Sequence, residues 1–247
     1  MFLSPEKGLL FMNIYDLVRM FIALVFSAIF VLWFINRFFK KKFTFSAKLI
    51  SRVAIFGSIS AILYIIPYLK FSVPFFPAFL EIHFDEVPAL IAGFAYGPLC
   101  GFLVILLKTI IKLPFSSTLL VGELTDLLYG TIFVVIASFV YKKKHSIKGA
   151  LLGILIATAA QLVVSSFFTT FVILDFYIFM MGFPKQAILS MSQAANKNVT
   201  DLTWSFLLFI ALPFNAFKDV IIGAATFLLY KQSHKLIDKI AEKVSNE

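Results

Sequence analysis

Long apolar runs separated by short polar or proline-bearing breaks organise the 247-residue chain. The runs cover residues 11–38, 48–66, 84–96, 99–113, 120–141, 147–174 and 204–230. A helix that crosses a bilayer needs about 20 predominantly apolar residues. Most of these runs approach or exceed that length. The two short ones, 84–96 and 99–113, are divided by Gly97-Pro98, a dipeptide that marks a tight connection and predicts a hairpin of short helices. Residues 67–81 carry Pro67, Pro74 and Pro77 among aromatics, which forbids a regular helix and predicts an ordered external loop. A second external loop falls at 114–118. A long polar segment follows at 175–203, with Gly182, Pro184, Asn196, Lys197 and Asn198. After Lys231, the residues Leu236, Ile237, Ile240 and Val244 stand at helical spacing and predict an amphipathic end.

The first run is too long for a signal-peptide core, and no small-residue cleavage site follows it. The pattern therefore predicts an all-α polytopic membrane protein: a six-helix core with one additional N-terminal transmembrane helix. Residues 1–46 would hold that extra helix and a basic linker, with Asp16 and Arg19 able to pair across one face. Residues 47–235 would form the core, and 236–247 a cytoplasmic tail.

Composition supports this. Apolar residues make up 61% of the chain and charged residues 14%, where a soluble domain has roughly half and about a quarter. A disordered chain and a disulfide scaffold are excluded, and the composition argues against a soluble globular enzyme. The net charge of +9 does not call for nucleic acid, because cytoplasmic loops of membrane proteins accumulate Lys and Arg. Such residues collect after the first run (Arg37, Lys40, Lys41, Lys42, Lys48, Arg52), after the fifth (Lys142, Lys143, Lys144, Lys148) and after the seventh (Lys231, Lys235, Lys239, Lys243). The N-terminus is then outside and the C-terminus cytoplasmic. The single cysteine, Cys100, excludes an internal disulfide and reads as a small packing residue at a helix start. No internal repeat is visible, so an inverted-repeat transporter is not supported.

Ionisable groups inside a bilayer are costly unless paired or wet. They fall in four patches, all toward the external ends of their helices: Glu81, His83, Asp85 and Glu86; Lys108 and Lys112; Glu123, Thr125 and Asp126; Asn215, Lys218 and Asp219. Each has a structural reading. Lys108 and Lys112 can snorkel to headgroups. Asp85 can cap a helix that has Pro88 in its first turn. Glu123 and Asp126 suit a helix start, where the dipole favours carboxylates. Asn215 and Lys218, three residues apart after Pro213 and set among Phe214, Phe217 and Val220, favour a ligand. Lys offers three donors and Asn both donors and an acceptor, which fits the polar edge of a flat heterocycle. His83 has no partner at metal-ligand spacing, so no metal site is expected. No catalytic signature and no Walker A motif is present, so no catalytic residue is expected. Ala54, Gly57, Ser58 and Ala61 place small residues at spacings of three and four, a face that packs inside the bundle or docks on another membrane protein.

Four stretches resemble a known family. They are 69–71 through 77–80; Asp85-Glu86-Val87-Pro88-Ala89-Leu90 running on to Gly97-Pro98; Leu107-Lys108 through 113–118 and Gly122-Glu123-Leu124; and Pro213-Phe214-Asn215-Ala216-Phe217-Lys218. In this order and spacing, over about residues 48–235, the chain resembles the substrate-binding S component of energy-coupling-factor (ECF) vitamin transporters, most of all the riboflavin-specific branch. The resemblance implies a six-helix membrane fold that binds a small vitamin, riboflavin or a related flavin, near the external face, with no cofactor. It implies ligand roles for Asn215 and Lys218, and a loop at 67–81 over the site. It implies docking of Ala54, Gly57, Ser58 and Ala61 on a transmembrane coupling subunit driven by two cytoplasmic ATPases. Glu123, Asp126, Thr169 and Lys108 are the further polar candidates, and Phe79 and Phe214 are candidates for stacking on the ligand.

The sequence departs from the family where Asp126 stands in place of an Asn and Thr169 in place of a ligand Asn. These departures keep another flat heterocycle open, such as a pterin or a purine. Two readings of other classes are a membrane enzyme acting on a lipid-linked substrate through Glu123, Asp126 and Lys108, and an assembly subunit without a ligand.

Overall fold

The computed structural model describes Asn36 and residues 46–245. The additional N-terminal helix, the Asp16–Arg19 pair and the basic linker lie outside the described residues. Five described helices are long and apolar enough to cross a membrane, and a sixth is shorter. They are α1 (Ala47–Ile65), the short α2 (Glu86–Tyr96), α3 (Pro98–Lys112), α4 (Val121–Lys143), α5 (Ile147–Phe179) and the last, α7 (Trp204–Val244). Between the last two lies α6 (Lys185–Ala195). Two short strands, β1 (Lys70–Ser72) and β2 (Glu81–His83), pair as a ribbon at the ends of the proline-rich loop.

Local sequence sets these boundaries. Ser46 caps α1 by accepting the Leu49 N–H at 3.2 Å, and Pro67 stops the helix by restricting Ile66. Gly97 sits at φ +94°, a conformation open to glycine but not to residues with a Cβ, and Pro98 opens α3 at a position where its missing N–H costs nothing. The hairpin read from Gly97-Pro98 is thus present.

The chain divides into two compact units. Among the described residues the larger takes 46–71, 82–162 and 216–245. Leu90, Phe94, Val104, Ile105, Phe133, Val134, Ile154 and Ile222 are buried in its core, with Cys100 among them near the start of α3. Gly57 lets α1 approach α3: a Cβ there would meet Leu107 Cδ2 at 2.6 Å. The outward side of α1 carries exposed Ile50, Ile55, Ile59 and Ile62, as a lipid-facing helix allows. The expected amphipathic end does not separate from the bundle. Helix α7 runs on without a break, and Ile237 and Ala241 join the same core. Tyr141 and Tyr230 both donate their hydroxyls to Asp238 Oδ1, at 2.5 and 2.7 Å, and so fix the extension.

The smaller unit takes 72–81 and 163–215. Its core is Leu174, Ile188, Val199, Leu202, Phe206, Leu207, Ile210 and Ala211, with Phe79 and Leu80 packed against it. The segment read as a long polar connection is therefore largely ordered. Helix α5 continues to Phe179, and α6 buries Ile188 and Ser192. Polarity alone hid this, because α6 buries only a narrow stripe. Its last connection is tied by Asp201, whose Oδ1 accepts the Thr203 hydroxyl and N–H, the latter at 2.7 Å. These bonds, the Thr203 hydroxyl first, hold the Asp201 carboxyl well below the usual range. Two widened π-helical turns, Thr169–Ile173 in α5 and Leu207–Ala211 in α7, pack against one another. The second precedes Pro213, which lacks the N–H that a regular turn would use.

Candidate functional site

In the larger unit, members of all four polar patches converge: His83, Asp85 and Glu86, Lys108, Asp126, and Lys218. At the back, Lys108 of α3 pairs with Asp85 Oδ2, and both side chains are fully buried. His83 donates from Nδ1 to Asp85 Oδ1, and the Ser60 hydroxyl donates to the Asp85 carbonyl. Asp85 does stand at the N-cap position of α2, as its place in the sequence predicted, but its side chain makes no capping bond and is committed to Lys108 and His83. Lys108 does not snorkel. Its ammonium stays inside because Asp85 neutralises it and the Tyr64 ring lies 4.7 Å below it.

In front of this pair stand Lys218 of α7, Asp126 of α4 and Glu86 of α2. The Lys218 Nζ lies 3.9 Å from Glu86 Oε1 and 3.9 Å from Asp126 Oδ1. Both separations exceed hydrogen-bond range. Charge holds the ammonium in place while its donors remain unspent. Asp126 is the more open of the two acids, with 19% of its side chain exposed against 0% for Glu86. Its other oxygen accepts the Tyr64 hydroxyl and lies 3.6 Å from His83 Nε2. The front of the cluster thus presents a cation beside an acceptor, suited to a ligand edge that alternates carbonyl and N–H.

Glu123 does not join this group. Its Oε2 accepts the Ser116 hydroxyl at 2.6 Å and the Thr118 hydroxyl at 3.0 Å, which fixes the second external loop. Lys112 is spent on the same loop, donating to the Phe115 carbonyl at 3.2 Å. Of the four small residues on α1, Gly57 and Ala61 are buried inside the fold, while Ala54 and Ser58 are exposed. Beside Ala54 runs an apolar groove of about 290 Å³ lined by Leu49, Ile50, Val53, Leu103, Leu106, Leu107 and Ile110.

In the smaller unit, Asn215 is buried and donates from Nδ2 to the Ser166 hydroxyl at 3.2 Å. Phe214 is buried and meets Phe76 edge to face at 5.3 Å. Phe79 packs on the core of this unit, and Thr169 opens the widened turn of α5. Sequence reasoning passed over Ser166 and Tyr64, which the structure joins by hydrogen bonds to Asn215 and Asp126. Neither carries a charge to draw notice. Among the described residues no cluster of His, Cys, Asp and Glu has the arrangement of a metal site.

The profile of the family described as "ECF transporter, substrate-specific component" matches residues 48–230. The chain belongs to this family. The riboflavin transporter RibU of Staphylococcus aureus (strain TCH60) is 31% identical over 189 residues, which span 76% of this chain and 93% of the relative. The riboflavin transporter FmnP of Bacillus subtilis (strain 168) is 27% identical over 184 residues, 73% of this chain and 90% of the relative. A solved S component of a bacterial ECF transporter superposes with a TM-score of 0.59 at 28% identity, covering 77% of this chain and 97% of that one. The chain is thus a multi-pass membrane S component, and the six helices from α1 to α7, α6 apart, lie within or run on from the matched region.

Proposed function

We propose that this S component captures riboflavin or a closely related flavin at the external face and delivers it through a coupling subunit driven by two cytoplasmic ATPases. The observation that carries the reading is Lys218. It is a buried ammonium beside Asp126 with no hydrogen bond to either neighbouring acid, three residues after Asn215 on α7. The riboflavin names of the relatives support the same ligand. On this reading Lys218 and Asn215 are the donors to ring carbonyls, and Asp126 is the acceptor for a ring N–H. Thr169, Phe79 and Phe214 are further ligand contacts on the sequence pattern. Lys108 and Glu123 act as supports, since their charges are committed within the protein.

An absorption spectrum of the purified chain tests this, followed by a riboflavin fluorescence-quenching titration. The expected result is a co-purified flavin band or saturable quenching. A clean spectrum without quenching sinks the flavin reading and turns the search to pterins and purines.

Ala54 and Ser58, with the groove beside them, are the proposed seat of the coupling subunit, because small residues let transmembrane helices approach closely. Ser58→Trp is expected to abolish vitamin uptake by cells while leaving the quenching titration unchanged. Unimpaired uptake would place the docking face elsewhere. The N-terminus outside and the C-terminus in the cytoplasm complete the reading, on the distribution of Lys and Arg.

A further inference from the structure

Tyr64 is the last residue but one of α1, and it is buried. Basic groups surround its ring. The His83 imidazole is centred 5.0 Å from it, and the ammonium groups of Lys108, Lys70 and Lys112 lie 4.7, 5.6 and 5.7 Å from its centre. An aromatic face attracts cations at this range, so the ring is held from several sides. One turn earlier on α1, Ser60 donates to the Asp85 carbonyl and fixes the helix against the start of α2. With the ring fixed, the Tyr64 hydroxyl donates to Asp126 Oδ2. His83 Nε2 is 3.6 Å from that oxygen, and Lys218 Nζ is 3.9 Å from the other, both beyond hydrogen-bond range. Among the described residues, Tyr64 thus supplies the one hydrogen bond to this carboxylate.

An ammonium and a carboxylate at 3.9 Å attract one another, and more strongly inside a protein than in water. Closing by about 1 Å would turn the pair into a direct charge-assisted hydrogen bond. It would also spend a Lys218 donor that a ligand needs. The acid on the other side of the ammonium, Glu86, is fully buried, whereas 19% of the Asp126 side chain is exposed. Asp126 is therefore the acid with room to swing toward Lys218, and the Tyr64 hydroxyl is the group that restrains it.

We propose that Tyr64 is a positioning residue for ligand capture: its hydroxyl holds Asp126 short of a direct bond to Lys218 and so keeps the ammonium open to the transported molecule. The gain is preorganisation, because a ligand then meets a free donor beside a free acceptor and has no internal salt bridge to break. The hydroxyl carries this role and the ring does not. Tyr64→Phe keeps the aromatic face under Lys108 and removes only the restraint on Asp126. The proposal rests on the reading that Lys218 meets the ligand, and it holds for any ligand that accepts a hydrogen bond from that ammonium.

The test uses the full chain purified in detergent. Denaturant unfolding of the wild type, Asp126→Asn, Lys218→Met and the two together gives the coupling between Asp126 and Lys218 with no ligand present. The same cycle in Tyr64→Phe protein is expected to give a larger coupling, since the two groups have closed into a direct pair. A coupling that is unchanged or smaller overturns the proposal. In the riboflavin quenching titration, Tyr64→Phe is expected to weaken binding roughly threefold to tenfold, the scale of one contact between neighbours. In Asp126→Asn protein, where no ion pair with Lys218 forms, Tyr64→Phe is expected to cost no further affinity. A loss of equal size in both backgrounds assigns Tyr64 to packing and overturns the proposal, and so does unchanged binding in Tyr64→Phe alone. Where a variant carrying Lys218→Met fails to fold, the titration decides, because it needs only Tyr64→Phe and Asp126→Asn. Absence of quenching by the wild type removes the flavin reading and leaves the unfolding cycle to decide the role of Tyr64.

Discussion

Replacing Lys108 by Met is expected to cost the fold about 3–5 kcal/mol, the loss seen when one member of a buried ion pair is removed. Lys108 and Asp85 are both fully buried, so no water is at hand to solvate the carboxylate left behind. His83 remains beside Asp85 but is itself drawn toward Asp126. Denaturant unfolding of the purified chain measures the loss. A second variant, Asp85→Asn with Lys108→Met, removes both charges and is expected to recover a large part of it, since neutral replacements of a buried pair are often tolerated. A snorkelling lysine would give a different result. An exposed pair is worth about 0–1 kcal/mol, and a single-variant loss of that size would refute the buried pair.

This pair shows where sequence reading reached and where it stopped. The spacing of apolar runs is a property of the membrane as solvent, so helices of sufficient length were legible without knowing what they touch. Gly97-Pro98 was legible because the backbone at Gly97 admits almost no other residue. The course of α5 beyond residue 174 was not, because Asp175 is a charge that the fold buries, and composition reads it as a break. The helical end of α7 was legible as a pattern, but not its attachment. That depends on Tyr141 and Tyr230 meeting Asp238, a contact between residues 97 and 8 positions apart in the chain.

At the site, the four polar patches were visible as charges where a bilayer makes charge expensive. Their division of labour was not. Asp85 and Glu86 are neighbours in sequence, yet one is fully engaged with Lys108 and His83 while the other has both oxygens free of hydrogen bonds. Glu123 and Asp126, one helical turn apart, diverge in the same way: the first holds a loop and the second faces Lys218. Only tertiary contacts separate a carboxylate that supports from one that is available.

Lys218 is the residue whose loss is expected to reach furthest into binding. A hydrogen bond to a charged donor contributes about 1.5–3 kcal/mol, so Lys218→Met is expected to weaken riboflavin roughly tenfold to a hundredfold. Asn215→Ala removes a neutral partner, worth about 0.5–1.5 kcal/mol, and is expected to fall at or below the lower end of that range. Removing Lys218 also leaves Glu86 and Asp126 without their shared cation, so part of the effect could pass through stability. Pairing Lys218→Met with Asp126→Asn separates the two. The double variant relieves the stranded charge but restores no donor, so its unfolding midpoint recovers while its affinity stays low. The quenching titration, run on protein shown to be folded, reads the affinity. Unchanged binding in Lys218→Met would assign Lys218 to the fold alone, and so would affinity that returns together with stability in the double variant.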